Sequence, residues 1–220
     1  MTLEVHSSSQ KLATEPRSQA LQAGLLAQFG VRMAYARHEE VYAQEEEADL
    51  IYQVVSGAVR TTRLMSDGRR QIGDFYHPGD VFGIEHGPEH RFSAEALCDT
   101  IVVVGKKKAL ALAAGQNAVD RFLADATARD LDRAQDHLLL LGRKTACEKV
   151  ASFLLGIAHR TNRPAVDLPM GRQDMADYLG LTIETVSRMV TQLQTAMIVE
   201  FPSCRQFIVR NRPALERLSD

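Results

Sequence analysis

The sequence predicts an α+β chain made of a small β-barrel or jelly roll, one long helix and a winged helix-turn-helix. Three observations carry this. Residues 31–105 are a run of short segments rich in β-branched and aromatic residues, with turn chemistry between them. Residues 117–143 hold one helical pattern without Pro, its apolar residues three and four apart. Residues 174–197 read as a short helix, a glycine turn and a second helix with two chemically opposed faces.

The first ten residues lack a basic region and an apolar run, so no signal peptide is expected, and residues 1–16 read as a disordered tail. A helix from about Arg17 to Phe29 would pack against the barrel. Strands are expected at Val31–Val41, Leu50–Val55, Ala58–Met65, Gln71–Tyr76, Phe92–Leu97 and Thr100–Val104. The turns between them fall at Ser56-Gly57, Ser66 to Gly68, His77 to Asp80 and Gly87-Pro88, giving a barrel domain over 17–116.

The helix at 117–143 carries two apolar stripes. Ala124, Thr127, Leu131, Ala134, Leu138 and Leu141 alternate at spacings of three and four, the seam of a coiled coil and hence a homodimer interface. Val119, Phe122, Leu123 and Ala126 form a second stripe, suited to cover the barrel. Arg129, Asp130, Asp132, Arg133 and Asp136 keep the flanks charged. The alternative is a helix buried wholly within one monomer. Gly142 and Arg143 read as a hinge into a C-terminal domain over 144–220.

That domain opens with a helix over Thr145–Arg160, ended by the stretch from Thr161 to Pro164. In the helix-turn-helix, Met175, Ala176 and Leu179 would pack the first helix on the second, Gly180 supplies the turn and Thr182 the N-cap. Val186, Met189, Val190, Leu193 and Met197 recur as one apolar stripe. Glu184, Ser187, Arg188 and Thr191 fall on the opposite side. That face has no Lys but offers a carboxylate, a hydroxyl and a guanidinium near the helix start, groups that hydrogen-bond to base edges. A helical hairpin with a polar outer face is the plainer alternative. A β-hairpin from Ile198–Phe201 and Gln206–Val209, turning at Pro202 to Arg205, makes the wing, and a helix near Arg212–Leu218 closes the domain.

Composition is that of a water-soluble globular protein, with a hydrophobic fraction of 45% and no apolar run near the eighteen residues of a membrane span. Cytoplasmic localisation fits three widely separated cysteines, Cys98, Cys147 and Cys204, which make neither a disulfide framework nor a metal knuckle. Residues 1–142 hold 15 basic against 20 acidic side chains, whereas residues 143–220 hold 11 against 8. The sign changes at the expected domain boundary, and the small excess implies DNA affinity resting on a few placed arginines.

With these parts in this order, the chain is similar to the Crp/Fnr family of bacterial transcription regulators over roughly residues 20–215. Phe75 to Gly83 in the barrel and Gly180 to Arg188 in the second helix carry the resemblance. Residues 177–188 match the Asp-Tyr-Leu-Gly-Leu-Thr-x-Glu-Thr-Val-Ser-Arg run of the Fnr-type branch, most of all FixK-like regulators of micro-oxic and nitrogen-fixation genes. The resemblance implies a cyclic-nucleotide-binding-like barrel, a dimerisation helix, contact with RNA polymerase, mostly activation, and no enzymatic activity. It also implies that Arg188 reads a guanine, that Glu184 accepts from a cytosine or adenine amino group, and that Ser187 and Ile183 favour a TTGA-type half-site over the Crp one. The DNA target would then be an inverted repeat close to TTGA…TCAA, with Arg172, Gln173 and Thr182 touching phosphates.

No cofactor is expected. Fnr holds an iron–sulfur cluster on cysteines near its N-terminus, and here no cysteine precedes Cys98. Crp clasps cyclic AMP through Gly-Glu-Leu and Arg-Ser-Ala. This chain has Gly83-Ile84-Glu85 and Arg91-Phe92-Ser93-Ala94, so an inserted residue turns one of the clasping pair to the other strand face. A ligand entering the barrel at an altered site stays open. His77, His86, His90 and Glu85 raise a metal-dependent cupin enzyme as the rival, but no His-x-His occurs and loop histidines in solvent are expected. Cys204, at the wing tip beside Arg205, is the candidate redox switch, because oxidation there would set polar or anionic bulk beside phosphates.

Overall fold

The computed structural model describes residues 24–66, 68–161 and 163–219. The tail expected at 1–16, the part of the first helix before residue 24, and Asp67 and Asn162 in two expected turns lie outside them. Two four-stranded antiparallel sheets form the N-terminal unit. One runs in the order β1 (Val31–Tyr35), β8 (Thr100–Lys106), β3 (Leu50–Ser56), β6 (Val81–Phe82), and the other β2 (Glu40–Tyr42), β7 (Ser93–Ala96), β4 (Val59–Leu64), β5 (Arg70–Tyr76). Tyr52, Val54, Phe82 and Val102 of the first sheet meet Tyr42, Val59, Ala94 and Ala96 of the second in one buried core. The strand expected over Val31–Val41 is in fact two, because the chain turns through a left-handed residue, His38 at φ 70, and continues in the other sheet.

Three helical segments cover the outer face of the first sheet: α1 (described over 24–29), α2 (Lys107–Ala114) and α3 (Gln116–Arg143). Leu26, Leu110, Val119, Phe122 and Ala126 pack there on Ile51, Val81 and Val103. Gly105 makes the close approach possible, since a Cβ at that position would stand 2.6 Å from Leu26 Cδ2. Neither α2 nor β6 was expected: Lys107–Ala114 buries only Leu110, and two residues of β6 are too few to show a period. The second apolar stripe of α3 does cover the barrel, as its spacing suggested. Arg133 fixes the helix further, pairing with Asp74 at 3.0 Å, Asp80 at 3.3 Å and Asp130, its guanidinium 4.9 Å from the Tyr76 ring centre.

The C-terminal unit comprises α4 (Ala146–His159), β9 (Ala165–Asp167), α5 (Arg172–Leu179), α6 (Ile183–Thr195), β10 (Val199–Ser203), β11 (Gln206–Val209) and α7 (Arg212–Ser219). Thr145 and Glu148 close a capping box at the start of α4. The wing has three strands rather than two, in the order β10-β11-β9. The third was missed because three residues after Pro164 carry almost no pattern. One expectation is corrected outright. Met197 does not extend the stripe of α6, because the helix ends at Thr195 and Met197, at φ 57, is 71% exposed. The core of this unit does not stop at the barrel. Ala58, Ile72, Phe75 and Leu97 belong to the same buried cluster as Phe153, Met175 and Leu179.

Candidate nucleic-acid interface

The reading head is built by burying one face of α6 so that the other must face out. Val186, Val190 and Leu193 are at most 1% exposed and seat α6 on Met175, Ala176 and Leu179 of α5. Burying each such side chain contributes about 1.5–3 kcal/mol. Gly180 closes α5 in the left-handed conformation, φ 61 and ψ 40, and so sets the angle between the two helices. Thr182 accepts from the Thr185 N–H at 3.3 Å and caps α6.

Opposite the buried face, Glu184 and Arg188 are exposed and Ser187 is half-buried. The backbone N–H of Glu184 itself and then the Thr182 hydroxyl hold the Glu184 carboxyl below the usual carboxylate range, so it is an ionised acceptor. Arg188 makes no ion pair or hydrogen bond among the described residues. An unengaged guanidinium fork and a carboxylate, one helical turn apart at a helix start, match the donor and acceptor pattern of base edges in a major groove.

The three residues assigned to phosphates are placed differently from one another. Thr182 lies at the α6 N-terminus, where backbone N–H groups gather. Arg172 sits with its guanidinium 5.4 Å from the Phe201 ring centre, and its Nη1 is buried without a partner. Burial lowers its pKa, while the nearby Cys204 acts the other way. Gln173 donates to Asp177 Oδ1 at 2.7 Å. Cys204 is exposed in the β10–β11 turn, and the neighbouring Arg205 guanidinium turns back to the Pro169 carbonyl. Along α3, Ala124, Thr127, Leu131, Ala134 and Leu138 are exposed in the single chain and Leu141 is half-buried, with Leu131 at 57% and Leu138 at 69%. Leu139, outside the expected seam, is 64% exposed beside them.

Residues 148–218 match the Crp-like helix-turn-helix domain, and residues 32–116 match the cyclic nucleotide-binding domain. The chain is 47% identical over 206 residues to the nitrogen fixation regulation protein FixK of Azorhizobium caulinodans, covering 89% of this chain and 82% of that one. It is 42% identical to FixK of Rhizobium meliloti, over 84% of this chain and 85% of the relative. This chain belongs to the Crp/Fnr family. It is a FixK/Fnr-type transcription regulator with a DNA-binding helix-turn-helix, and the family is one of regulators rather than enzymes. The solved structure of FixK2 from Bradyrhizobium japonicum is similar to this Crp/Fnr regulator at TM-score 0.82 and 51% identity, covering 87% of this chain and 98% of that one.

Two features of the barrel depart from what its Crp/Fnr sequence suggested. His90 is not a loop histidine in solvent. It is 2% exposed and stacks on Tyr42 with ring centres 3.7 Å apart, and neither ring nitrogen has a partner. His77 is half-buried, and burial, with Arg160 and Arg133 adding to it against Asp80, pushes its pKa down to about 4. Of these three histidines, only His86 is exposed. Tyr42, Tyr52, Phe82 and His90 pack ring on ring in the barrel interior, each at most 6% exposed. The Ser93 hydroxyl accepts from the Gln44 N–H at 2.9 Å, and Arg91 is exposed.

Proposed function

We propose that this regulator works as a cytoplasmic homodimer that reads an inverted repeat of the TTGA…TCAA type and recruits RNA polymerase, chiefly as an activator. The open polar face of α6 carries the reading: Glu184, Ser187 and Arg188 are presented together on the side away from the buried Val186, Val190 and Leu193. The exposed seam of α3 supports a two-fold dimer, which places two such helices about one turn of DNA apart. The FixK relatives, nitrogen fixation regulators by name, support a nitrogen-fixation regulon, and the resemblance to FixK-like regulators adds micro-oxic genes to it. Control without a resident cofactor fits the barrel. No cysteine precedes Cys98 to hold a cluster, the ring-filled interior and the engaged Ser93 do not fit a cyclic nucleotide, and activity then follows the amount of protein made.

The test is a gel shift on the intact palindrome and on half-site variants. Arg188→Ala should remove the preference for the correct guanine, at roughly 1–3 kcal/mol per half-site, and leave weak salt-sensitive binding. Unchanged discrimination by Arg188→Ala would overturn the assignment.

A further inference from the structure

The covalent link between α3 and the reading head is slight. Lys144 and Thr145 are both extended, at ψ 143 and ψ 167, and a small rotation there would swing the whole C-terminal unit. Its place is held by His137 of α3, which stacks on Tyr178 with ring centres 3.9 Å apart and bonds to its carbonyl at 2.8 Å, and by ion pairs to the barrel. Arg60 of β4 is 7% exposed. It donates to Asp174 at 2.5 Å and, through its other amino group, to both oxygens of Glu95 at 2.8 and 3.0 Å. Arg70 of β5 donates to Asp174 at 2.8 Å and to Asp177 at 2.6 and 3.0 Å. The second oxygen of Asp174 accepts from the Gly171 N–H at 3.0 Å, so one carboxylate both caps α5 and accepts two barrel guanidiniums. Around these pairs the contact is apolar, with Phe75 and Tyr178 ring centres 5.2 Å apart.

Two further observations say what this clamp is for. The reading face of α6 stays open while α5 is clamped, so the contact orients the head and does not hide it. The strand that carries Arg70 also carries Asp74, the partner of Arg133 on α3. β5 therefore ties α3 over a fixed length to α5, the helix on which α6 is seated.

We infer that Arg60 and Arg70 are positioning residues for DNA recognition: they set the separation between half-sites that the dimer accepts, so spacer selectivity resides in the barrel and base selectivity in α6. This rests on the reading of a homodimer on two half-sites. Adding one base pair to the spacer moves the far half-site by about 3.4 Å and about a tenth of a turn, which a clamped head cannot follow.

The full-length protein is titrated by fluorescence anisotropy against duplexes with two TTGA-type half-sites. One set has spacers one or two base pairs longer or shorter than the best one, and a second has a single base changed within a half-site. Wild type is expected to lose roughly tenfold in affinity for each spacer change. Arg70→Gln and Asp177→Asn should each flatten that loss to within about threefold while keeping the full penalty for the changed base, and the double variant should be no flatter than either single one, as for two ends of one contact. A merely structural contact would weaken all duplexes alike. Arg70 is 31% exposed in its side chain and Asp177 15%, and either variant alone decides the matter if the other does not fold. A spacer profile in both variants as steep as in wild type overturns the inference. A wild type that binds one half-site as tightly as two overturns the dimeric reading itself, and that result appears in the wild-type arm alone.

Discussion

Asp174 shows how one side chain can serve two levels of structure. Its capping bond belongs to α5, and its two guanidinium bonds belong to the junction with the barrel. Removing such a buried carboxylate takes the cap from α5 and one of the two carboxylate partners of Arg60, leaving only Glu95, which is why Asp177 is the better site for probing the junction. Cys204 stands at the other extreme, exposed and without structural duty. Its interest is its position in the wing turn near Arg172, a residue assigned to phosphate contact. Peroxide would transfer an oxygen to the thiol sulfur and release water, and further oxidation would leave an anionic sulfinate facing the DNA backbone. Brief peroxide treatment should therefore lower DNA affinity of wild type severalfold and leave Cys204→Ser nearly unchanged. Equal losses in the two proteins, measured by the same gel shift, would remove Cys204 from regulation.

Among the elements, α3 has the clearest division of labour. Val119, Phe122 and Ala126 are 2–4% exposed against the barrel, whereas Leu131 and Leu138 stand open. Each open leucine, once covered by a second copy, contributes about 1.5–3 kcal/mol. Replacing both by glutamate should convert the dimer to a monomer in size-exclusion chromatography with light scattering, with little effect on the fold of each chain, because neither side chain is buried within it. An unchanged dimer would show that another face pairs. This two-striped pattern was legible in sequence because 28 residues give several turns over which a period repeats. The eight residues of α2, the three of β9 and the two of β6 gave no such repeat. The buried face of α6 was legible for the same reason as that of α3. The Met197 error arose where the period was carried past the end of the helix, which nothing in the apolar pattern marks.

The whole molecule holds what a one-dimensional pattern could not disclose. The clamp joins residues 104–114 positions apart, and no local period or spacing connects Arg60 and Arg70 to Asp174 and Asp177. His77 lies in the same junction, close enough to Arg133 of α3 and Arg160 after α4 for both cations to act on it. Its folded pKa of about 4 lies below the unfolded value of 6.5, so the unfolded chain takes up the proton first as pH falls. The stability associated with a neutral His77 is complete above pH about 6.5 and is lost progressively toward pH about 4. Asp74 and Asp130, whose pKa values burial raises, act in the opposite sense at lower pH and do so equally with or without the histidine. His77→Gln keeps the backbone bond from residue 77 to Asp80 and removes the titrating ring. Between pH 7.5 and 5.5, at one protein concentration, the melting temperature of wild type should fall by roughly 2–4 °C more than that of His77→Gln, equivalent to about 1 kcal/mol. Parallel melting curves across that interval would mean that the junction admits the proton freely, and that the packing of barrel, α3 and α4 around His77 is looser than its burial indicates.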